Sequence, residues 1–261
     1  MATEIHPSAI VSPHANIGQD VKIGPFAIIE SDSKIGDRSV INASAHIKSF
    51  TSLGEDCKVH SFASIGGAPQ DLKYHGEHTV LEMGDRITIR EFVTISRGTT
   101  GGGGITRVGS DCFIMAYCHI AHDNQIADHV IMSNGATLAG HVHVATHAII
   151  GGLSAVHQFV RIGEYAFIGG KTGVAQDIPP YMIAVGERAK LRGPNLIGLR
   201  RAGFSSEELS AIKKAYKIIW RVKGNQKGSC KEVLAEFGEF EKIQCLIDFI
   251  RTSQRGVTSG A

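Results

Sequence analysis

An aliphatic residue returns every six positions from the start of the chain: Ile5, Val11, Ile17, Ile23, Ile29, Ile35, Ile41, Ile47, Leu53, Val59 and Ile65. The series resumes at Met83, Ile89 and Ile95, then runs from Val108 through Ile114, Ile120, Ile126, Met132, Leu138, Val144, Ile150, Val156, Ile162 and Ile168 to Val174. Two positions before each aliphatic stands a small or short branched residue, as in Ala9, Ala15, Val21, Ala27, Ser33 and Ser39. A period of six is a multiple of the strand period of two and does not fit the helical 3.6. Large and small residues therefore alternate inward along short strands. No unit can bury its own inner face, so the units must stack into a solenoid. A sandwich or propeller needs a period of about 8 to 12 residues per strand and turn. The expected fold is mainly β, a parallel β-helix. Glycine often follows the aliphatic, as in Gly18, Gly24 and Gly36, and is expected to supply positive φ at the corners.

Two stretches break the count, residues 66–80 and 96–107. Insertions in a solenoid leave at its corners and often carry function. The glycine run Gly101–Gly104 suggests that the second is a mobile flap. The repeat ends near Asp177–Tyr181, where Pro179 and Pro180 cannot donate ladder hydrogen bonds. A helical period follows. Ser205 and Glu208 have capping-box spacing, and Leu209, Ile212, Ala215, Tyr216 and Ile219 form one apolar stripe that runs on toward Gly224. Two further amphipathic stretches, "SCKEVLAEFGEF" and "EKIQCLIDFIRTSQRG", complete a small tail. Residues 1–189 are thus expected to form the β-helix and residues 190–261 a helical domain that caps it.

With three hexads per coil, residues eighteen apart stack about 4.8 Å from one another. His122, Gly140, Gln158 and Gln176 then form one column, and Asp123, His141, Phe159 and Asp177 the next. His119 and His157 adjoin them. One corner therefore gathers histidine, carboxylate and amide beside a missing side chain. It can be a solvated edge, the reading given to the isolated His14, His46, His60, His129 and His147. Two chemistries compete with that reading. A neutral histidine can act as general base, with Asp123 fixing its tautomer and a backbone N–H near Gly140 meeting an oxyanion. Alternatively, three histidines can bind zinc, as in β-helical carbonic anhydrases, although glutamine is a poor ligand and the column contains no cysteine.

Bulk properties narrow the field. The formal charge of +2 gives no case for a nucleic-acid partner. Five scattered cysteines without a C-x-x-C pair fit reduced thiols in the cytoplasm. No signal peptide and no membrane-spanning run is read, so no stable membrane insertion is expected. The basic residues Arg161, Lys171, Arg188, Lys190, Arg192, Arg200 and Arg201 thicken toward the end of the repeat. They are either ordinary solvated charge or a landing surface for an acidic partner.

The hexads resemble those of the hexapeptide-repeat acyltransferases. That resemblance implies a left-handed β-helix and a homotrimer; neither follows from the period. The ordered set "QDLKYHGE", "HIAHD", "LAGHV", "GGLSAVHQF", "GVAQDIPPY" and "LRRAGF" is similar, over essentially the whole chain, to the UDP-N-acetylglucosamine O-acyltransferases that open lipid A synthesis. The implied reaction moves a 3-hydroxyacyl chain from acyl carrier protein to the sugar 3-hydroxyl of UDP-N-acetylglucosamine, without a cofactor or metal. The resemblance makes His122 the general base, Asp123 its supporting carboxylate and Gly140 the oxyanion donor. It places Asp71, Lys73, His119, His141, His157 and Gln158 around the substrate, and Asn195 and Arg201 near the diphosphate. It also implies a site between subunits. Ala202 departs from the basic pair usual before "GF". Gly170 falls where the family sets its acyl-length ruler, beside an unusual Lys171. With no side chain at 170, a long chain of about fourteen carbons is implied, since each buried CH₂ contributes about 0.8 kcal/mol. Related N-acyltransferases carry a preceding nucleotide-binding domain, for which hexads starting at Ile5 are expected to leave no room.

Overall fold

The computed structural model describes residues 2–221 and 226–261. Its strands, most of them two residues long, wind into a three-sided prism. Among the described residues the three sides are sheets of 11, 9 and 8 strands, parallel apart from one closing hairpin. One side shows why. Ile10, Ile28, His46, Ser64, Thr94, His119, Thr137, Ala155 and Gly173 are successive register partners and face outward. The residue after each points inward, so Ile29, Ile47, Ile65, Ile95, Ile120, Leu138, Val156 and Val174 stack along the axis, all buried. Between them lie Ala27, Ala45, Ala63, Val93, Cys118 and Ala136, also buried. Each large aliphatic removed from water contributes about 1.5–3 kcal/mol, and the rows repeat down the prism. The alternation of size read from the sequence is therefore the packing rule of the interior.

The corners depart from expectation. The left-handed residue is the third after the aliphatic, and it is seldom glycine (Gly135, at 70°, is an exception): Asp20, Phe26, Asp32 and Arg38 have φ of 57°, 58°, 56° and 57°. Each such residue costs on the order of 1 kcal/mol. Its backbone N–H is turned to the coil below, as Arg38 N–H donates to Gln19 O (2.8 Å) and His141 N–H to His122 O (3.1 Å). The glycine directly after the aliphatic answers a different need. A Cβ at Gly36 would lie 2.4 Å from the backbone of Gly54 in the next coil. Close approach of coils, not positive φ, selects glycine there.

The isolated corner histidines are also less idle than expected. His46 Nε2 lies 2.6 Å from Glu30 Oε1, and His60 Nδ1 is 3.3 Å from Glu91. His129 and His147 stack at 4.5 Å.

The last coil runs short. Val156 pairs with Val174, but Ile162 pairs with Ile178, two residues early. Asp177 therefore falls beside Arg161 instead of continuing the Asp123–His141–Phe159 column. Its carboxylate accepts the Arg161 N–H (2.8 Å) and the Ser253 hydroxyl (2.7 Å). The sheet then continues past the expected boundary at residue 190, since Lys190–Pro194 pairs antiparallel with Met182–Val185. Helices begin at α1 (Leu196–Arg201), followed by α2 (Ser206–Trp220), α3 (Gln226–Phe237) and α4 (Glu241–Thr252). Ser205 and Glu208 form the capping box at the start of α2. Its buried stripe includes Ile212, Ala215, Tyr216 and Ile219, as read, and adds Ala211, while Leu209 is half-buried. Residues 222–224 of that expected helix lie outside the described residues. The tail docks through the Tyr216 hydroxyl, which donates to Leu191 O (3.1 Å), and through Arg161 over the Phe249 ring (4.4 Å). Among the described residues no helix is long and apolar enough to cross a membrane.

Candidate active site

The corner that follows the His119–Ile120 strand carries the expected cluster. His141 N–H bonds to His122 O, and Phe159 N–H bonds to Gly140 O (3.2 Å), so residues 122, 140 and 158 stack on one edge as the period requires. His122 Nδ1 is 2.7 Å from Asp123 Oδ2. The Asp123 side chain is 1% exposed and that of His122 14%. An ionised carboxylate only accepts, so the hydrogen bond is made by Nδ1–H, and Nε2 points away from it. No described residue hydrogen-bonds to Nε2.

Gly140 makes room for that ring. A Cβ at 140 would lie 2.6 Å from His122 Cε1. The Gly140 N–H has no acceptor among the described residues. His141 stands edge-on to His122 (5.2 Å between centroids) and stacks on Phe159 (4.4 Å). Its Nε2 is 3.6 Å from Asp123 Oδ2. Burial and the neighbouring His122 hold His141 below the usual histidine range, against the opposing pull of Asp123 and Asp71. His119, whose Nδ1 is 2.7 Å from Thr94 Oγ1, is lowered by burial first and His122 second. Burial thus favours the neutral forms of His119 and His141.

The second loop does not leave the surface as an untethered flap. Thr99 N–H and Thr99 Oγ1–H donate to the two Asp123 oxygens at 2.7 and 2.6 Å. Thr94, Thr99 and Thr106 are parts of the site that the sequence did not reveal. Thr99 lies inside the second insertion, so no column arithmetic reaches it, whereas Thr106 stands eighteen before Asn124 and so beside Asp123. Thr94 precedes that insertion and pairs with His119 at a spacing of twenty-five, not eighteen.

The remaining residues scatter. Asp71 is near enough to act on His141, and its Oδ1 accepts the Lys73 backbone N–H (3.0 Å); Lys73 is exposed. His157 donates through Nδ1 to Gln158 O (3.1 Å); both residues are exposed. Asn195 caps α1, accepting from Gly198 N–H and donating to Tyr165 O (3.1 Å), while Arg201 is exposed in its last turn. Gly170 lies on another edge, above Gly152 and Asn134, since Lys171 N–H bonds to Gly152 O and Leu153 N–H to Asn134 O. Within one chain, then, His119, His122, Asp123, Gly140 and His141 are brought together, and Asn195, Arg201 and Gly170 are not.

His122, Asp123 and His141 also present ligand-type atoms within 4.8 Å of one another. The 2.7 Å separation of His122 Nδ1 and Asp123 Oδ2 is a hydrogen bond. Zinc bonds of about 2.0–2.1 Å at tetrahedral angles hold neighbouring ligands about 3.3 Å apart. The couple is built for a proton.

The fold and this corner define a hexapeptide-repeat transferase: residues 14–49 and 105–140 match the profile of the bacterial transferase hexapeptide. Residues 177–258 match domain 2 of the UDP-N-acetylglucosamine O-acyltransferases. An acyl-[acyl-carrier-protein]–UDP-N-acetylglucosamine O-acyltransferase of Thermodesulfovibrio yellowstonii is 49% identical over 254 residues, 97% of this chain and 98% of that one. The enzyme of the same name from Herminiimonas arsenicoxydans is 47% identical over 257 residues, with the same coverage. The solved UDP-N-acetylglucosamine acyltransferase of Campylobacter jejuni superposes with a TM-score of 0.94 at 41% identity, over 99% of this chain and 100% of that one. That of Francisella novicida gives 0.93 at 35% identity, over 98% and 94%. The chain belongs to the UDP-N-acetylglucosamine O-acyltransferase family.

Proposed function

We propose that the protein transfers a long-chain (R)-3-hydroxyacyl group from acyl carrier protein to the 3-hydroxyl of UDP-N-acetylglucosamine, the first step of lipid A biosynthesis, in the cytoplasm. The observation that carries the mechanism is the His122–Asp123 couple with Nε2 open beside Gly140. His122 Nε2 takes the proton of the sugar hydroxyl as its oxygen attacks the thioester carbonyl. The Gly140 N–H donates to the oxyanion that forms. Collapse breaks the carbon–sulfur bond, and the departing thiolate takes the proton from the imidazolium. Asp123 stays ionised, holding Nδ1–H and balancing the imidazolium charge.

His119, His141, His157, Gln158, Asp71 and Lys73 form the substrate wall, with Asp71 accepting sugar hydroxyls and Lys73 facing phosphate or pantetheine. Asn195 and Arg201 serve the diphosphate from a neighbouring subunit of a homotrimer of left-handed β-helices. An apolar ridge supports that assembly. Phe62, Phe92 and Tyr117 stack at 5.1 and 5.0 Å along one edge and, with Phe26 and Leu153, are exposed in the single chain. Exposed rings in register mark a contact surface. Gly152 and Gly170 leave two side chains missing in succession on the same edge, a trench fit for an acyl chain of about fourteen carbons. Arg161, Lys171, Arg188, Lys190, Arg192, Arg200 and Arg201 steer the acidic carrier protein.

The test is a turnover assay of the purified protein with UDP-N-acetylglucosamine and carrier-bound 3-hydroxyacyl chains of graded length. Formation of a 3-O-acyl product is expected. Absence of transfer with every chain, from protein of trimeric mass, overturns the reading.

A further inference from the structure

Arg97, Gly98 and Thr99 open the second loop between the first loop and the base couple. Arg97 fastens the first loop: its Nε and Nη2 donate to the Tyr74 hydroxyl (3.2 and 3.0 Å) and its Nη1 to Gly66 O (3.0 Å). Thr99 fastens the carboxylate. Its backbone N–H and its hydroxyl reach one Asp123 oxygen each. The same hydroxyl accepts the Gly102 N–H at 3.2 Å, so its single proton is committed to Asp123. Thr99 and Asp123 are both buried, at 8% and 3% exposure. Thr106 Oγ1 accepts the Asp123 N–H (2.7 Å), and a Cβ at Gly102 would lie 2.0 Å from the carboxylate carbon. Asp123 is enclosed on every side except the one facing His122 and His141.

We propose that Thr99 is a positioning residue for acyl transfer: its hydroxyl and N–H aim the Asp123 carboxylate, and through it set the angle and tautomer of His122. The inference rests on the reading of His122 as the base. With Thr99 bound, Oδ2 has one direction left for His122 Nδ1–H, so the ring cannot rotate without losing that bond. Removing the hydroxyl frees Oδ2 to swing and leaves its charge less shared among donors. The imidazole then spends less time aligned for attack, and its charged form gains more from the carboxylate. Arg97 lies two residues earlier and holds a different object, the loop bearing Asp71 and Lys73. The two residues therefore predict opposite kinetic signatures.

The experiment compares Thr99→Val, Thr99→Ser and Arg97→Lys with wild type, His122→Ala, Asp123→Asn and the double variant Thr99→Val/Asp123→Asn. Rates are read against pH. The titratable groups facing the couple are His119 and His141, and Asp71 acts in turn on His141. Thr99→Val is expected to lower kcat about ten- to hundred-fold, with KM for UDP-N-acetylglucosamine nearly unchanged. The acid limb of its kcat profile moves up by about half a pH unit. Thr99→Ser restores both. Arg97→Lys raises KM more than it lowers kcat. In the Asp123→Asn background, Thr99→Val costs little further. Wild-type kcat and an unshifted acid limb in Thr99→Val, beside an inactive His122→Ala, overturn the role of Thr99 while leaving His122 as base. Fully additive losses in the double variant overturn it too, and assign Thr99 to folding alone. If Thr99→Val does not fold, a Thr99→Ser enzyme with lowered kcat and a shifted limb has the same adverse meaning. An active His122→Ala removes the base reading and the proposal together.

Discussion

The His122 imidazole fills the space that a side chain at Gly140 would need: a Cβ there falls 2.6 Å from Cε1 and 2.9 Å from Nε2. One residue thus supplies both a void for the His122 ring and a backbone N–H beside it. Gly140→Ala should push the ring off its line to Asp123, and kcat should fall about a hundred-fold. Strain from overpacking should lower stability by about 1–3 kcal/mol at most, because the ring has an exposed side to yield toward. Initial rates and thermal melting check both, and a wild-type rate would refute the packing argument.

His122→Ala should abolish measurable transfer while thermal midpoint and oligomeric mass stay near wild type, since the ring is partly exposed and packs no core. Asp123→Asn should retain the couple's geometry but lose the charge, with kcat down about a hundred- to ten-thousand-fold. Steady-state kinetics at saturating substrate decide.

Gly170→Met should shorten the preferred acyl chain. The side chain would enter the trench above Gly152, whose carbonyl oxygen is only 3.3 Å from a Cβ at 170. Each carbon excluded should cost about four-fold in kcat/KM, from about 0.8 kcal/mol per CH₂. Competition between carrier-bound chains of different length measures the shift; unchanged selection would remove the ruler from Gly170.

Stability should depend on Glu30 in acid. Burial raises its carboxyl, but the Ser49 N–H and hydroxyl and His46 overcome this and hold it below the usual glutamate range. A depressed folded-state value means stabilisation that is complete above the unfolded value, near 4.5, and lost as pH falls through it and below. Glu30→Gln should therefore melt earlier than wild type at pH 7, with the gap closing toward pH 3. Melting curves over that range test this; a constant gap would exclude linkage.

The prism was legible because its rule is arithmetic. A period of six fixed the inward rows, and eighteen brought His122 over Gly140 and Asp123 beside His141 before any coordinates. What failed was local. Asp177 left its column because the last coil is two residues short before Pro179, and counting cannot detect a cut corner. The glycine that often follows the aliphatic suggests a turn former, whereas Gly36 is demanded by a neighbouring coil absent from its own stretch of sequence. Thr99 was invisible because it sits inside an insertion, where the count stops. Asn195 and Arg201 lie in the helical tail, outside the sixfold count, and Gly170 lies on another edge from His122.

The stacking of His122 on Gly140 has a consequence for how such a chain can vary. Deleting one residue between them would turn Leu138 from the interior to solvent and carry the cavity wall off the edge, although every functional side chain survived. Adding a full eighteen before Ile5 would merely make the prism taller. Spacing across that interval, more than the identity of most residues within it, is what the His122 corner cannot lose.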